Sequence, residues 1–373
     1  MLVNGELVIL AGNTHPRLAD DICQRLGMKR TDVILYHAGN RETLLQIPSS
    51  VRFKDCYIIQ TATNTNVNDA IMELLLMGYT CHTSAAKHLV GVIPYLPYGK
   101  QSRQRKRGTI AARLLAKMIG RAGFHHIVTV DLHQKEIQGF FDIPVENLRA
   151  SPFLIEYIQQ KMLADQIDRD RLVIVAQQTG SVRKATAYAE RLKVDLAILH
   201  GTMEVETDAV DGRSSPPPVR SIEMIPGGET LPILTDYRTI RRPLKLVGEV
   251  RDKIAILVEN IIDDVEQLTR LAHHLKHEEG ARKVFLVATH ALFSQEASFQ
   301  LQFQSEFDEI VVTNTEMFFP KIIIPTTVPH DIDEKKFSKI KVIDISILLT
   351  EAIRRMHNNE SLSYLFTNIS VED

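Results

Sequence analysis

Long apolar runs are missing from the chain: no stretch approaches the roughly 20 residues that a bilayer-spanning helix needs, so no membrane span is expected. The start, MLVNGELVIL, lacks the charged, apolar and small-residue sections of a secretory signal, which makes the cytoplasm the expected location. Cysteine is scarce. Cys23, Cys56 and Cys81 are odd in number and form no CxxC pair, which argues against a disulfide framework and a Cys-based zinc site and leaves three buried free thiols as the simplest reading. An excess of charge of either sign is absent too. Lys and Arg total 44 against 46 Asp and Glu, a formal charge of −2, so the molecule as a whole has no electrostatic footprint for nucleic acid or an anionic membrane. Any binding of polyanions must be local. There is no internal repeat.

What is present is length and apolar content. The 373 residues amount to about two domains, and 44% apolar residues exclude a disordered regulator. Short Val- and Ile-rich runs recur between stretches of helical spacing, the pattern of strands buried on both faces of a parallel sheet. Strands are expected near 6–10, 33–36, 57–60, 90–95, 127–131, 172–176, 195–199, 254–258, 284–288, 310–313 and 341–345. A helix is predicted over 109–121, where Ile110, Leu114, Leu115 and Met118 mark one apolar face. Another starts at Ser151-Pro152, read as an N-cap hydroxyl followed by proline. It follows the turn-like DIPVENLRA, which places a domain junction near residue 150. The fold class is therefore α/β, with mainly parallel sheets flanked by helices in units 1–150 and 151–373.

Open sheets of this kind bind ligands beyond the carboxyl ends of their strands. Three such ends carry polar groups: Asp131-Leu132-His133, Gln177 to Lys184, and Glu259 to Gln267. Two segments break the alternation. Residues 204–243, with DGRSSPPPVR and PGGETLP, are far longer than a usual connection and read as a mobile or regulatory loop; within them Ser215 precedes Pro216 and is a candidate phosphosite. Residues 316–327, EMFFPKIIIPTT, are apolar and broken by two prolines. His273 and His277 lie one helical turn apart, but no third ligand is evident, so they read as a solvated face rather than a zinc pair.

At YGKQSRQRKRGTIAARLLAKM, VTVDLHQKEIQGFFDIPVENLRASPFLIEYI, VVTNT and KVIDISILLTEAIRRMHNNESLSYLF the chain resembles the phosphoribosyl pyrophosphate (PRPP) synthetase family over nearly its whole length. The resemblance implies two tandem phosphoribosyltransferase-like domains, a hexamer-like assembly, the last helix free to pack back on the first domain, and diphosphate transfer from ATP to ribose 5-phosphate with Mg²⁺. It also implies which residues to inspect. Where the family has paired acids and a Thr-x-Gly-Thr phosphate cradle, this chain has Glu259 and Asn260, then Asp263, Asp264, Val265, Glu266 and Gln267. Two carboxylates facing a phosphate at about 4 Å would each repel it by about 4 kcal/mol at an effective dielectric near 20.

By the same resemblance, Gln178 stands at the position of a metal-binding Asp, so His133 is left as a vestigial Mg²⁺ candidate without its partner acid. Gly201 and Met203 replace a Lys and an Arg that would neutralise the transferred diphosphate. The basic run Lys100, Gln101, Arg103, Arg105 and Arg107 falls at the ATP loop; a nucleotide-phosphate contact and a solvated or subunit-contact loop both stay open for it, with nucleic acid the least favoured. Thr14, Arg17, Asn40, Arg41 and Glu42 read as structural.

DGRSSPP, IIDDVEQ, KQSRQRKRG, DLHQKEIQGFF and NISVED are similar to the synthetase-associated branch of the family, non-catalytic relatives that join catalytic subunits and restrain them. The expectation is thus a regulatory subunit in a homo- or hetero-oligomer with catalytic PRPP synthetase subunits, acting in nucleotide biosynthesis. It would need no cofactor, and Mg²⁺ or ATP/ADP binding is in doubt. The alternatives are an active ribose-phosphate diphosphokinase and a free-standing nucleotide or sugar-phosphate sensor.

Overall fold

The computed structural model describes residues 6–63, 66–104, 108–200, 244–263, 265–292, 305–316 and 339–367. In chain order these form β1 (Leu7–Ala11), α1 (Pro16–Arg25), β2 (Ile34–His37), β3 (Thr43–Gln46), β4 (Asp55–Ile59), α2 (Val67–Thr83), β5 (His88–Ile93), α3 (Ala111–Arg121), β6 (His126–Val130) and β7 (Val145–Leu148). There follow α4 (Ser151–Ala164), β8 (Leu172–Gln177), α5 (Gln178–Leu192), β9 (Asp195–His200), β10 (Lys245–Val247), β11 (Ile254–Ile262), α6 (Val265–His273), β12 (Lys283–Ala291), β13 (Glu309–Thr313), β14 (Ile340–Ile343), α7 (Ser346–His357) and α8 (Ser363–Thr367). No described helix is long and apolar enough to cross a membrane.

The β-branched runs pair in parallel as their double-sided burial requires. The first sheet has the order β1-β4-β5-β6-β7 and the second β10-β9-β8-β11-β12-β13-β14. Only β10, against β9, runs antiparallel within these two sheets. In the second sheet the chain moves outward from β8 to β10 and then returns to the other side of β8 with β11. That reversal marks the switch point beyond the carboxyl ends of β8 and β11, the crevice position at which doubly wound sheets place their ligands.

The two sheets are not independent bodies. One apolar cluster joins Ile9, Val128 and Leu148 of the first, through Leu154 of α4, to Ile174 and Val258 of the second, and on to Ile345 and Leu349. Each fully buried Leu or Ile contributes about 1.5–3 kcal/mol. α7 lies against α1, where Arg25 donates to Ser346 Oγ at 2.7 Å and pairs with Asp344 at 2.9 Å. The three cysteines are buried and free.

Several local readings are corrected. Residues 33–36 do not join a main sheet: β2 and β3 make a separate antiparallel hairpin, on which Ile34, Tyr36 and Leu44 are exposed. The turn-like DIPVENLRA contains β7, paired with β6, and β10 was not anticipated. Ser151 is the first helical residue of α4, after Ala150 at the cap position, and no side chain caps that end. In α3 the buried face is Ala112, Leu115, Ala116 and Ile119, while Leu114 and Met118 are 59% and 38% exposed. The alanines permit close approach, so the buried ridge runs one step beside the bulky one.

Gly248, just past β10, has φ +118°, and a Cβ there would meet Ala197 Cα at 2.8 Å. Backbone strain and a backbone clash add, so Gly248→Ala is expected to destabilise by about 2 kcal/mol, read as a lower urea midpoint.

Candidate functional site

The crevice is built from residues that close onto one another. Beyond β6, Asp131 takes a left-handed φ of +42°. Its carboxylate accepts from Thr289 Oγ1 at 2.6 Å and lies 3.6 Å from Lys184 Nζ. Lys184, in the second turn of α5, donates to Asn260 Oδ1 at 3.1 Å, Thr289 Oγ1 at 3.0 Å and the Glu259 carbonyl at 3.3 Å. Asn260 Nδ2 donates to the Asp131 carbonyl at 3.0 Å. Thus one ammonium from α5 serves β11, β12 and the end of β6 together.

His290 reinforces this seam. It is fully buried, and burial holds its pKa down to about 4, so the ring is neutral. Its Nε2 faces the carbonyls of Val130 at 3.0 Å and Asp131 at 3.2 Å and is therefore the donor, leaving Nδ1 to accept from Thr315 Oγ1 at 2.9 Å. Thr289 and His290 lie outside the candidate segments of the sequence, and Lys184 enters them only as the last residue of the polar stretch Gln177 to Lys184. The available signal was a histidine at the carboxyl end of a buried strand, in VATHA.

Glu259 and Asn260 lie within β11 rather than beyond it, because the strand runs on to Ile262. Glu259 Oε1 is enclosed without a hydrogen-bond partner among the described residues. Burial pushes its carboxyl up to about 7, against the opposing pull of Lys184 and Lys100. Across the crevice, the exposed Lys100 of the basic run pairs with Asp263, which joins the ATP-loop candidate to the ribose-site candidate. Gln101 and Arg103 are exposed.

At the start of α6, Val265 is buried and Glu266 is exposed and paired with Arg270 one turn on. Glu266 therefore does not stand as a bare charge against a phosphate, and the repulsion expected from it is softened. An acid in the first turn instead complements the helix N-terminus. Gln178 opens α5. Arg105, Arg107, Gly201, Met203, Asp264, Ser215, the loop 204–243 and residues 317–327 lie outside the described residues.

A hard divalent cation is poorly served here. His133 offers a single imidazole whose pKa is lowered by partial burial and by Lys100, while Oδ2 of Asp131 is already engaged by Thr289 and Lys184. Mg²⁺ prefers carboxylate, phosphate and water oxygens, so the described residues do not fit it.

Two family models match: the N-terminal domain of ribose phosphate pyrophosphokinase over residues 7–123, and the phosphoribosyl synthetase-associated domain over residues 168–367. The chain is 47% identical to phosphoribosyl pyrophosphate synthase-associated protein 2 of Homo sapiens, over 100% of this chain and 96% of that one. It belongs to the phosphoribosyl pyrophosphate synthase-associated family. Synthase-associated protein 1 of Homo sapiens is likewise 47% identical, over 95% of this chain and 94% of its own. Ribose-phosphate pyrophosphokinase 2 of Schizosaccharomyces pombe is 35% identical over 98% and 99%. The crystal structure of phosphoribosylpyrophosphate synthetase from Mycobacterium smegmatis superposes with a TM-score of 0.75 at 30% identity, covering 95% of this chain and 99% of that one. This synthase-associated chain thus has the tandem α/β architecture of the synthetases.

Proposed function

We propose that the chain is a non-catalytic subunit that joins catalytic PRPP synthetase subunits and restrains PRPP formation for nucleotide biosynthesis. The observation that carries this reading is the filled crevice. Lys184 supplies, from within the fold, the positive charge between Asp131, Asn260 and Thr289, and Lys100 is paired with Asp263. Cations held by the protein's own carboxylates and amides are poor electrostatic stabilisers of a diphosphate in transfer, since that work needs donors aimed at the developing charge. The relatives named for association with the synthase, at 47% identity, support the same role.

Such a subunit needs fold and interfaces rather than turnover, and docking through surfaces like those between synthetase subunits gives a hexamer-like mixed oligomer. The exposed Ile34, Tyr36 and Leu44 on the β2–β3 hairpin provide an apolar face of the kind that marks interaction sites. No metal or nucleotide is required for this role, and a cytoplasmic location suits it.

The test is direct. The pure protein, with ATP, ribose 5-phosphate and Mg²⁺, is expected to form no PRPP above background, and on titration into a catalytic synthetase it is expected to enter a larger complex and lower the rate per catalytic subunit. Turnover by the pure protein would identify an active diphosphokinase, and absence of association would favour a free-standing sensor.

A further inference from the structure

His273 and His277, read from spacing alone as a solvated pair without a third ligand, do have one. Glu306, 29 residues further on, precedes β13, and one ligand atom from each of the three residues lies within 4.8 Å of the other two. The imidazole centroids are 4.4 Å apart at an interplanar angle of 37°. Glu306 Oε2 lies 3.3 Å from His277 Nε2, yet it is enclosed and makes no hydrogen bond among the described residues. The other carboxylate oxygen, Oε1, accepts from Ser305 Oγ at 3.5 Å. A carboxylate oxygen shut from water, without a hydrogen bond and set against an imidazole pair is a donor arrangement that a cation between the three side chains would satisfy.

The backbone holds the three in place. After His273 the helix widens into a π-turn over His274–Glu278, a departure from α-helix that recurs at functional sites. Lys276, inside that turn, donates to the Ser305 carbonyl at 2.8 Å and to Asp308 Oδ2 at 3.1 Å. Asp308 Oδ2 also accepts from the Val284 amide at 2.9 Å. The segment carrying Glu306 is therefore clamped to the turn carrying His277 from both flanks. The neighbouring acids are committed elsewhere: Glu278 and Glu279 face the buried His274, at 2.9 and 3.4 Å.

We propose that His273, His277 and Glu306 form a binding site for a borderline divalent transition metal, Zn²⁺ in the first instance. Two imidazoles and one carboxylate suit Zn²⁺, Ni²⁺ or Cu²⁺ and not Mg²⁺ or Ca²⁺. Three protein ligands leave a fourth position for water, and bonds of about 2.0–2.2 Å require only small side-chain rotations from the spacing observed. The bound ion would join the end of α6 to the segment entering β13, a cross-link independent of the crevice and of the proposed subunit role.

The test uses the full chain stripped with a chelator and titrated with Zn²⁺ by calorimetry, with Co²⁺ absorption reporting the coordination. One strong equivalent is expected, weakened at least about tenfold in each of His273→Ala, His277→Ala and Glu306→Gln. Both histidines are exposed, so their variants are expected to fold even if Glu306→Gln does not. Because the chain has 14 histidines, binding that is unchanged in both histidine variants would overturn the site, as would absence of a strong equivalent in the parent chain.

Discussion

Replacing Lys184 with Met is expected to lower the stability of the chain by about 2–4 kcal/mol, a little below the 3–5 kcal/mol for breaking a fully enclosed ion pair, because the side chain keeps 22% exposure. Met fills much of the volume of Lys, so the loss is electrostatic. It leaves the Asp131 carboxylate with Thr289 and a long contact at 3.4 Å from the Ala150 amide, and Asn260 Oδ1 without its ammonium. Adding Asp131→Asn to Lys184→Met removes the stranded charge and is expected to recover part of the loss. A coupling energy of about 1–3 kcal/mol in the double-mutant cycle is the signature of the pair. Urea unfolding followed by circular dichroism and fluorescence measures both. Additive single effects would mean that Lys184 packs rather than pairs. The variant also bears on function: removing this cation is not expected to create PRPP synthesis, because loss of an internal charge does not build a phosphate cradle.

How far the sequence carried this picture depends on range. The strands announce themselves because runs such as LVIVA and IAILV are buried on both faces, and only a parallel sheet covered by helices accommodates them. The switch between β8 and β11 is not local. It depends on which side of β8 the chain returns to, and nothing in the spacing of Leu172 or Ile254 encodes that side. The short strands β7 and β10 were hidden because four or three residues of mixed polarity, VENL and KLV, become strands only by pairing with an existing edge.

Among candidate residues, the end of β6, the start of α5 and β11 were all pointed to by strand-end polarity, and they do converge. What spacing could not show is that they converge on Lys184, which in the sequence is only the last residue of the polar stretch Gln177 to Lys184. Nor could it show that Glu306 returns beside His277. In both cases the partner is brought in by tertiary packing from more than 25 residues away, beyond the reach of a periodic pattern.

Glu259 should give the crevice a pH signature. Its ordinary value is 4.5 and burial raises it to about 7 in the folded chain, so between these values the native state holds a proton that the unfolded state has released. Stability from this group is therefore full below pH 4.5, falls as pH rises, and levels off above about 7. Two and a half pH units correspond to about 3 kcal/mol at most. His15 and His290 act in the opposite sense. Burial lowers both to about 4, so they penalise folding at low pH and release that penalty as pH rises towards 6.5. Glu316, raised by burial, adds to the Glu259 trend. The total curve is thus a sum of opposed slopes, and the informative quantity is the difference between the parent chain and Glu259→Gln, in which the histidines and Glu316 cancel. That difference is expected to be near constant below pH 4.5 and to grow in favour of the Gln variant by about 2–3 kcal/mol between pH 5 and 8. Lys184 and Lys100 oppose the rise in the Glu259 value, so Lys184→Met should move the midpoint of the difference curve to higher pH. A difference curve that stays flat across pH 5–8 would mean that Glu259 ionises as it does in water, and that water reaches its enclosed oxygen.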